Sequence, residues 1–225
     1  MPAFGKSARL AALLPLAAAS LAITHSAPAA AQRNAVVRDA GLGSSIAQFY
    51  RTRGGAPLWF SPTAGPAPHQ LMQLLNTAAA DNLNPNRYRV RQLARAVQTA
   101  SSRNPAAVQR AEVMLSEAFV TYVRDLKRDP NVGIIYVDPE LRPTAPSAHT
   151  ILAQAASSGS ISKYLDRMGW MSPVYAQLRR ALAARMYRGE LERQLLVVNL
   201  ERARALPSGG HRYAIVNPAA QRLYM

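Results

Sequence analysis

Asn104-Pro-Ala-Ala-Val-Gln-Arg-Ala-Glu-Val-Met-Leu-Ser-Glu-Ala-Phe-Val-Thr-Tyr-Val-Arg-Asp-Leu126 decides the fold of this chain. Asn104 before Pro105 is a helix start. The asparagine side chain can accept from orphan first-turn amides, and proline at the first helical position has no N–H to leave unpaired. Apolar residues then return at Val108, Ala111, Leu115, Ala118, Tyr122 and Leu126, which keeps one face apolar over about five turns. Asp129-Pro130 is expected to end the run.

Upstream of this helix, Leu71, Leu74, Leu75 and Ala78 recur at helical spacing. Asn82 is placed to close that helix, and Asn84-Pro85 to open the next turn. Tyr88, Val90, Leu93 and Val97 continue the apolar face. Earlier still, Ser44 or Ser45 is read as the cap of a short helix carrying Ile46, Phe49 and Tyr50, ended by Gly54-Gly55. Residues 32–43 are weakly patterned and expected to be loose. Pro57-Leu58-Trp59-Phe60 reads as an extended apolar segment, and residues 62–68 as a Pro/Gly/Ala loop.

Downstream, Gly133-Ile-Ile-Tyr-Val137 reads as a short strand or a buried loop, and the prolines of 139–146 exclude regular helix. Two shorter helices are expected over 147–156 and 160–168. Ser172-Pro173 opens another, with Val174, Leu178, Ala181, Leu182 and Met186 inward. A last helix over 190–205 carries Leu191, Leu195, Val198 and Arg202 on one face. After Pro207, the segment His211 to Met225 reads as the opening strands of a β domain. The expected fold class is mainly α, a helical domain with a short truncated β stub at the C-terminus. In isolation, residues 208–225 are expected to be disordered or self-associating for want of partner strands.

The first 31 residues read as a secretory signal peptide. Lys6 and Arg9 form a basic start, Leu10 to Ile23 an apolar run, and Ala29-Ala30-Ala31 a small-residue cleavage site before Gln32. The apolar run is shorter than the roughly 20 residues a spanning helix needs, and no later stretch is long and apolar enough. The chain is therefore expected to be exported, with no transmembrane segment after the leader.

The net charge is +15, from 27 basic and 12 acidic residues, and only Lys6, Lys127 and Lys163 are lysines. On an exported protein such charge points to anionic envelope material rather than to nucleic acid, with non-specific solubility charge as the equal alternative. The chain has no cysteine, which excludes disulfides and any thiol nucleophile on these residues.

Other chemistry is sparse. His69, His149 and His211 are isolated, and none has the spacing of a metal site. Gly41-Leu-Gly43 lacks the third glycine and the preceding strand of a phosphate loop. Ser160-Ile-Ser-Lys163 matches the S-x-x-K nucleophile motif, but its Ser-Asp-Asn and Lys-Thr-Gly companions are missing. Ser160 is better read as a helix N-cap. Asp125 and Asp129, interleaved with Arg124, Lys127 and Arg128, read as structural ion pairs, as do Glu112 and Glu117. Trp59 and Trp170 suit stacking on sugar rings if exposed, but each sits among core-like residues. No catalytic, cofactor-binding or metal residue is assigned, and no cofactor.

Four stretches carry a resemblance. They are Phe49-Tyr50-Arg-Thr-Arg-Gly54 with Pro57-Leu58-Trp59; Asp81-Asn-Leu-Asn-Pro85 with Tyr88; Leu115 to Lys127; and Asn199-Leu-Glu-Arg202, Leu206-Pro207 and Tyr213-Ala-Ile-Val-Asn217 with Arg222-Leu-Tyr224. In order and spacing they resemble the N-terminal portion of the large periplasmic murein L,D-transpeptidases, which place a helical scaffold ahead of the catalytic domain. The likeness runs over about residues 44 to 225. It implies a periplasmic protein concerned with cross-linking peptidoglycan stem peptides. The family's nucleophile is a cysteine in a Ser-His-Gly-Cys motif. Nothing here matches that motif, and His211 is not its histidine, so no catalytic residue carries over. The wall-binding module of some relatives has no evident counterpart.

The resulting expectation is a signal peptide over 1–31, a helical scaffold over 32–206, and the beginning of a truncated β catalytic domain over 207–225. Such a chain would be non-catalytic by itself, with peptidoglycan or cell-wall enzymes as partners. The alternative is a basic exported protein that binds anionic envelope polymers or a membrane surface.

Overall fold

The computed structural model of the protein describes residues 29–128, 135, 138, 142–208, 214–217 and 221–224. The chain divides into two units, Met1–Val37 and Arg38–Met225, and the packing described below is that of the second. The helices among the described residues are α1 (Ala29–Thr52), of which the second unit holds the part from Arg38 on, α2 (Ala67–Asn76), α3 (Val90–Ala100), α4 (Pro105–Leu126), α5 (Ala148–Ser157), α6 (Ile161–Asp166), α7 (Pro173–Ala183) and α8 (Glu190–Ala203). Two 3-10 turns, Ala78–Asp81 and Pro85–Tyr88, link α2 to α3. Two strands, β1 (Ile215–Asn217) and β2 (Arg222–Tyr224), follow. The fold is mainly α.

Helix starts follow side-chain chemistry closely. Asn104 accepts from the amides of Ala106 and Ala107 at the head of α4, Ser147 from Thr150, Ser160 from Lys163 and Ser172 from Tyr175. Each satisfies an amide that the first helical turn leaves unpaired, worth about 1 kcal/mol per cap. Asn84 does the same for the 3-10 turn at Pro85.

Helix α4 is the central element, with α2, α3 and α5 packed against it. From Ala111 on it buries residues on most of its circumference: Leu115, Phe119, Val120, Tyr122 and Val123 all lie inside. The single apolar stripe expected from Val108 to Leu126 is therefore too narrow a description, and Val108 itself is only half-buried. Edge-to-face ring pairs join the layers: Trp59 on Phe119 at 5.5 Å, Phe119 on Trp170 at 5.1 Å, and Tyr88 on Tyr122 at 5.6 Å.

Several expectations are corrected. Ser44 and Ser45 are not caps. Their hydroxyls donate back to the Gly41 carbonyl, each at 2.9 Å, within one continuous helix that begins at Ala29. Serine can satisfy itself on the preceding turn, so its presence does not mark a start. Residues 32–43, expected to be loose, have helical backbone. Leu58–Phe60 is a bend rather than an extended segment. Helix α2 stops at Asn76, and Asn82 closes the following 3-10 turn with φ 54°.

Helix α8 is rotated from the expected orientation, and α7 meets it only in part. In α7 the buried residues are Tyr175, Ala176 and Arg179; of the residues expected inward, Leu178 and Leu182 are half-buried against the core and Ala181 is half-buried, while Val174, and Met186 beyond the helix, are exposed. In α8 the buried residues are Leu200, Glu201 and Ala203, while Leu191, Leu195 and Val198 are exposed. Buried charge anchors both helices, as described below, and overrides the apolar periodicity. Helix α4 stops at Leu126, with Lys127 as its C-cap, three residues ahead of the expected Asp129-Pro130; those two residues, and all of 133–137 except Ile135, lie outside the described residues, and Ile135 is exposed. Strands β1 and β2 pair antiparallel, with Val216 opposite Leu223. Among the described residues, no helix is long and apolar enough to cross a membrane.

Candidate functional site

Three carboxylates organise the polar interior, and two of them sit on α4. Glu112 is 3 % exposed. Its Oε2 accepts from the Leu58 amide at 3.0 Å, the Trp59 amide at 3.1 Å and the Tyr50 hydroxyl at 2.7 Å. Its Oε1 accepts from the Phe60 amide at 2.7 Å. The loop after α1 has no regular secondary structure to pair its backbone, and Glu112 supplies the missing acceptors. Since the Tyr50 proton points to Glu112, the nearby Ser116 hydroxyl at 2.7 Å is left to donate to the Tyr50 oxygen. Ser116 also accepts from the Trp59 indole at 2.9 Å. Burial, and then the charge of Glu112, pushes the Tyr50 phenol well above its ordinary value. Glu112 is thus a backbone acceptor and not the helix-surface ion pair that its sequence spacing suggested.

Asp81 has no solvent exposure. It lies at the end of the first 3-10 turn, and its carboxylate gathers groups from two distant helices. Tyr122 of α4 donates to Oδ2 at 2.7 Å, and Tyr175 of α7 to Oδ1 at 2.8 Å. Arg179 Nε of α7 donates to both oxygens, at 2.8 and 3.0 Å. The Arg179 guanidinium also reaches Thr77 Oγ1 at 3.0 Å. Burial works against the Arg179 charge, but Tyr122 and Asp81 outweigh it and raise its pKa. Both phenols are held well above their ordinary value, by burial first and by Asp81 second. The backbone carbonyl of Asp81 accepts from Arg204, just past α8, and Arg204 bonds Glu201 at 2.9 Å.

Asp125, near the end of α4, accepts from the Tyr88 hydroxyl at 3.1 Å and from Arg87 Nε at 2.7 Å. Arg128 lies 3.6 Å away. These groups meet the end of α8 in an open cleft of about 340 Å³, lined by Asn82, Arg87, Asp125, Arg128, Glu201 and Arg204 with Leu83. Burial raises the Glu201 carboxyl above the usual carboxylate range. The cleft holds charged groups of both signs, so it suits a polar ligand and not an apolar one.

The other singled-out residues resolve simply. Ser160 is the N-cap of α6, so the S-x-x-K spacing is a capping pattern. Trp59 and Trp170 are buried in the core and do not offer a stacking surface. His69 and His149 are exposed, and His149 rests against Phe49. His211 and Asp129 lie outside the described residues. No group of acidic and histidine side chains suited to a metal occurs among the described residues. Asp81 was the residue that pattern reading missed: nothing in its local sequence marks it as buried. The only signal was its place in the segment that carries the family resemblance.

No curated protein and no solved structure matches the chain. A family model described as a scaffold domain matches residues 44–182, more than half of the 225. The match takes in Glu112, Asp81, Asp125 and Arg179, while Glu201 and Arg204 lie beyond it. The chain therefore belongs to the scaffold-domain family, as its resemblance to the front portion of L,D-transpeptidases implied.

Proposed function

We propose that this chain is the non-catalytic scaffold portion of an L,D-transpeptidase-like protein that works in peptidoglycan cross-linking. In this reading residues 1–31 export it to the periplasm, residues 32–206 form the scaffold, and residues 207–225 open the catalytic β domain. The match over 44–182 carries the reading. Supporting it, the stretches that resemble the family are bonded to one another. Tyr50 and Trp59 meet Ser116 on the long helix, Asp81 meets Tyr122, and Tyr88 meets Asp125. The absence of cysteine from these 225 residues removes the family's thiolate nucleophile from this segment.

Sedimentation with purified peptidoglycan sacculi at rising salt tests the partner. Binding that persists at ~1 M salt, where charges are screened within about 3 Å, supports a shaped wall-binding surface. Complete loss near physiological salt points instead to charge attraction, the alternative that the +15 net charge favours. A covalent adduct with a carbapenem on the purified chain would overturn the non-catalytic assignment, because such compounds acylate a working nucleophile.

A further inference from the structure

We propose that the outer face of α3 and its two ends, carried by Arg89, Arg91, Arg95 and Arg103, dock the protein on an anionic phospholipid surface. The starting observation is a stretch without negative charge. From Asn82 to Ala111, thirty positions, the chain has six arginines and no aspartate, glutamate or lysine. The carboxylates that bound this stretch, Asp81 and Glu112, are 0 % and 3 % exposed. Both are occupied, Asp81 by Arg179 and Glu112 by backbone amides. They leave the surface between them to its arginines.

The geometry gathers four of the six. Helix α3 buries Leu93, Val97 and Ala100. With about 3.6 residues per turn, Arg91 and Arg95 lie on the opposite side, one turn apart, and both are exposed. Arg89 stands at the start of α3 and Arg103 in the turn to α4, and both are exposed. Among the described residues, no ion pair holds any of these four. Arg87 differs, being committed to Asp125. The neighbouring elements add no free counter-charge. Helix α3 packs on α2 and α4. Helix α2 contains no acidic residue. On α4, Glu112 and Asp125 are buried with their partners, and Glu117 is half-buried and engaged.

The rest of the face selects the partner. Its other exposed positions, Gln92, Ala94, Gln98 and Thr99, include no aromatic side chain on which a sugar ring could stack. The outside of a helix is convex, so it encloses no small ligand but lies readily along a flat surface. All four cations are arginines, whose guanidinium forks match phosphate oxygens bidentately where an ammonium acts as a point charge. A flat, dense array of phosphates is an anionic phospholipid bilayer. The apolar side of α3 is already buried in the core, so attachment is electrostatic and peripheral, with nothing inserted among the acyl chains. Charges this close to a lipid surface act together and give reversible, salt-sensitive binding. This face stands whether or not the chain acts on peptidoglycan.

The test is co-sedimentation with lipid vesicles, using the chain from Gln32 on because the apolar leader would bind any vesicle. Vesicles of equal parts phosphatidylglycerol and phosphatidylcholine should carry the protein down at low salt and release it as salt rises. Vesicles of phosphatidylcholine alone should leave it in solution. Arg91→Gln with Arg95→Gln, both exposed changes that do not threaten folding, should weaken attachment at least about tenfold. Arg185→Gln with Arg188→Gln removes the same charge from an exposed region outside this face and should weaken it less than about threefold. Equal loss in the two pairs would reduce the effect to net charge and overturn the proposal. Equal binding to both kinds of vesicle would overturn it as well. So would retention on sacculi or immobilised polyphosphate that depends on Arg91 and Arg95 while the vesicles stay bare, since the face would then belong to a polymer.

Discussion

The carboxylate of Asp81 and the guanidinium of Arg179 stand 98 positions apart in sequence and 2.8 Å apart in the fold. Neither could be buried alone, because a lone desolvated charge costs several kcal/mol. Together with Tyr122 and Tyr175 they form a closed set in which both oxygens of Asp81 are occupied. The set fixes the first 3-10 turn to α4 and α7. It also explains why α7 turns Arg179 inward and leaves Val174 exposed.

Removing one partner should therefore cost more than removing both. We expect Asp81→Ala to destabilise the protein by about 3–5 kcal/mol, since Arg179 would remain buried without a counter-charge. Asp81→Ala combined with Arg179→Met should recover a large part of that loss. Urea unfolding of the single and double variants measures both. An Asp81→Ala cost below about 1 kcal/mol would show that water reaches the pair and that the network is not closed.

Glu112 makes a related prediction about the loop after α1. Glu112→Gln keeps the shape of the side chain but turns one acceptor into a donor facing backbone N–H groups. We expect a loss of about 2–3 kcal/mol and faster amide exchange at Leu58, Trp59 and Phe60. Tyr50→Phe removes the hydroxyl from Glu112 and Ser116 but leaves the three amide bonds, so it should cost less. Unchanged exchange at those amides in Glu112→Gln would contradict the role given to Glu112.

The contrast between these residues and the helix starts shows what a sequence can reveal. Asn104, Ser147, Ser160 and Ser172 act on amides two or three positions away, so the interaction is written locally and could be read there. Asp81 and Glu112 act across 41 to 98 positions, and no periodicity encodes such partners. The α8 error has the same origin. Leu191, Leu195 and Val198 form a regular stripe, yet Leu200, Glu201, Ala203 and Arg204 are the side chains that turn inward. Periodicity assumes that only apolar groups are buried, and that assumption fails where charges are paired. Of the cleft, the sequence showed only separate arginines; their convergence depends on the turn at Asn82 and the ends of two helices.

Gly169 offers a steric prediction. Helix α6 ends with Met168 at φ 50°, with the Gly169 amide bonded to the Tyr164 carbonyl at 2.9 Å. This is the bonding of a Schellman motif, with methionine where glycine is usual. Glycine stands one position later because of space: a Cβ on residue 169 would lie 2.3 Å from the Tyr164 ring. That ring leans on Trp170 at 5.6 Å and cannot retreat freely. We expect Gly169→Ala to cost about 1–3 kcal/mol. A smaller cost in a Tyr164→Ala background, measured by a double-mutant cycle, would locate the clash. Equal costs in both backgrounds would place the strain elsewhere.

The buried phenols set the alkaline limit of the fold. Burial is the first cause of the raised pKa at Tyr50, Tyr88, Tyr122, Tyr164 and Tyr175, and carboxylates add to it at all but Tyr164, which is pushed up to about 12. In the unfolded chain each would ionise near the ordinary value of 10.0. Above that pH the unfolded state has released these protons and the folded state still holds them. The stability they represent is thus complete below about pH 10 and is lost as pH rises toward their folded values. Each contributes a slope of about 1.4 kcal/mol per pH unit in that window. Five acting together should give a steep, cooperative alkaline unfolding beginning near pH 10. In a phenolate-absorbance titration, these five of the nine tyrosines should ionise only as helical circular dichroism is lost. Tyr164→Phe should make the alkaline transition shallower. Smooth ionisation of all nine while the helices persist would show that the phenols are reached by solvent in the folded state.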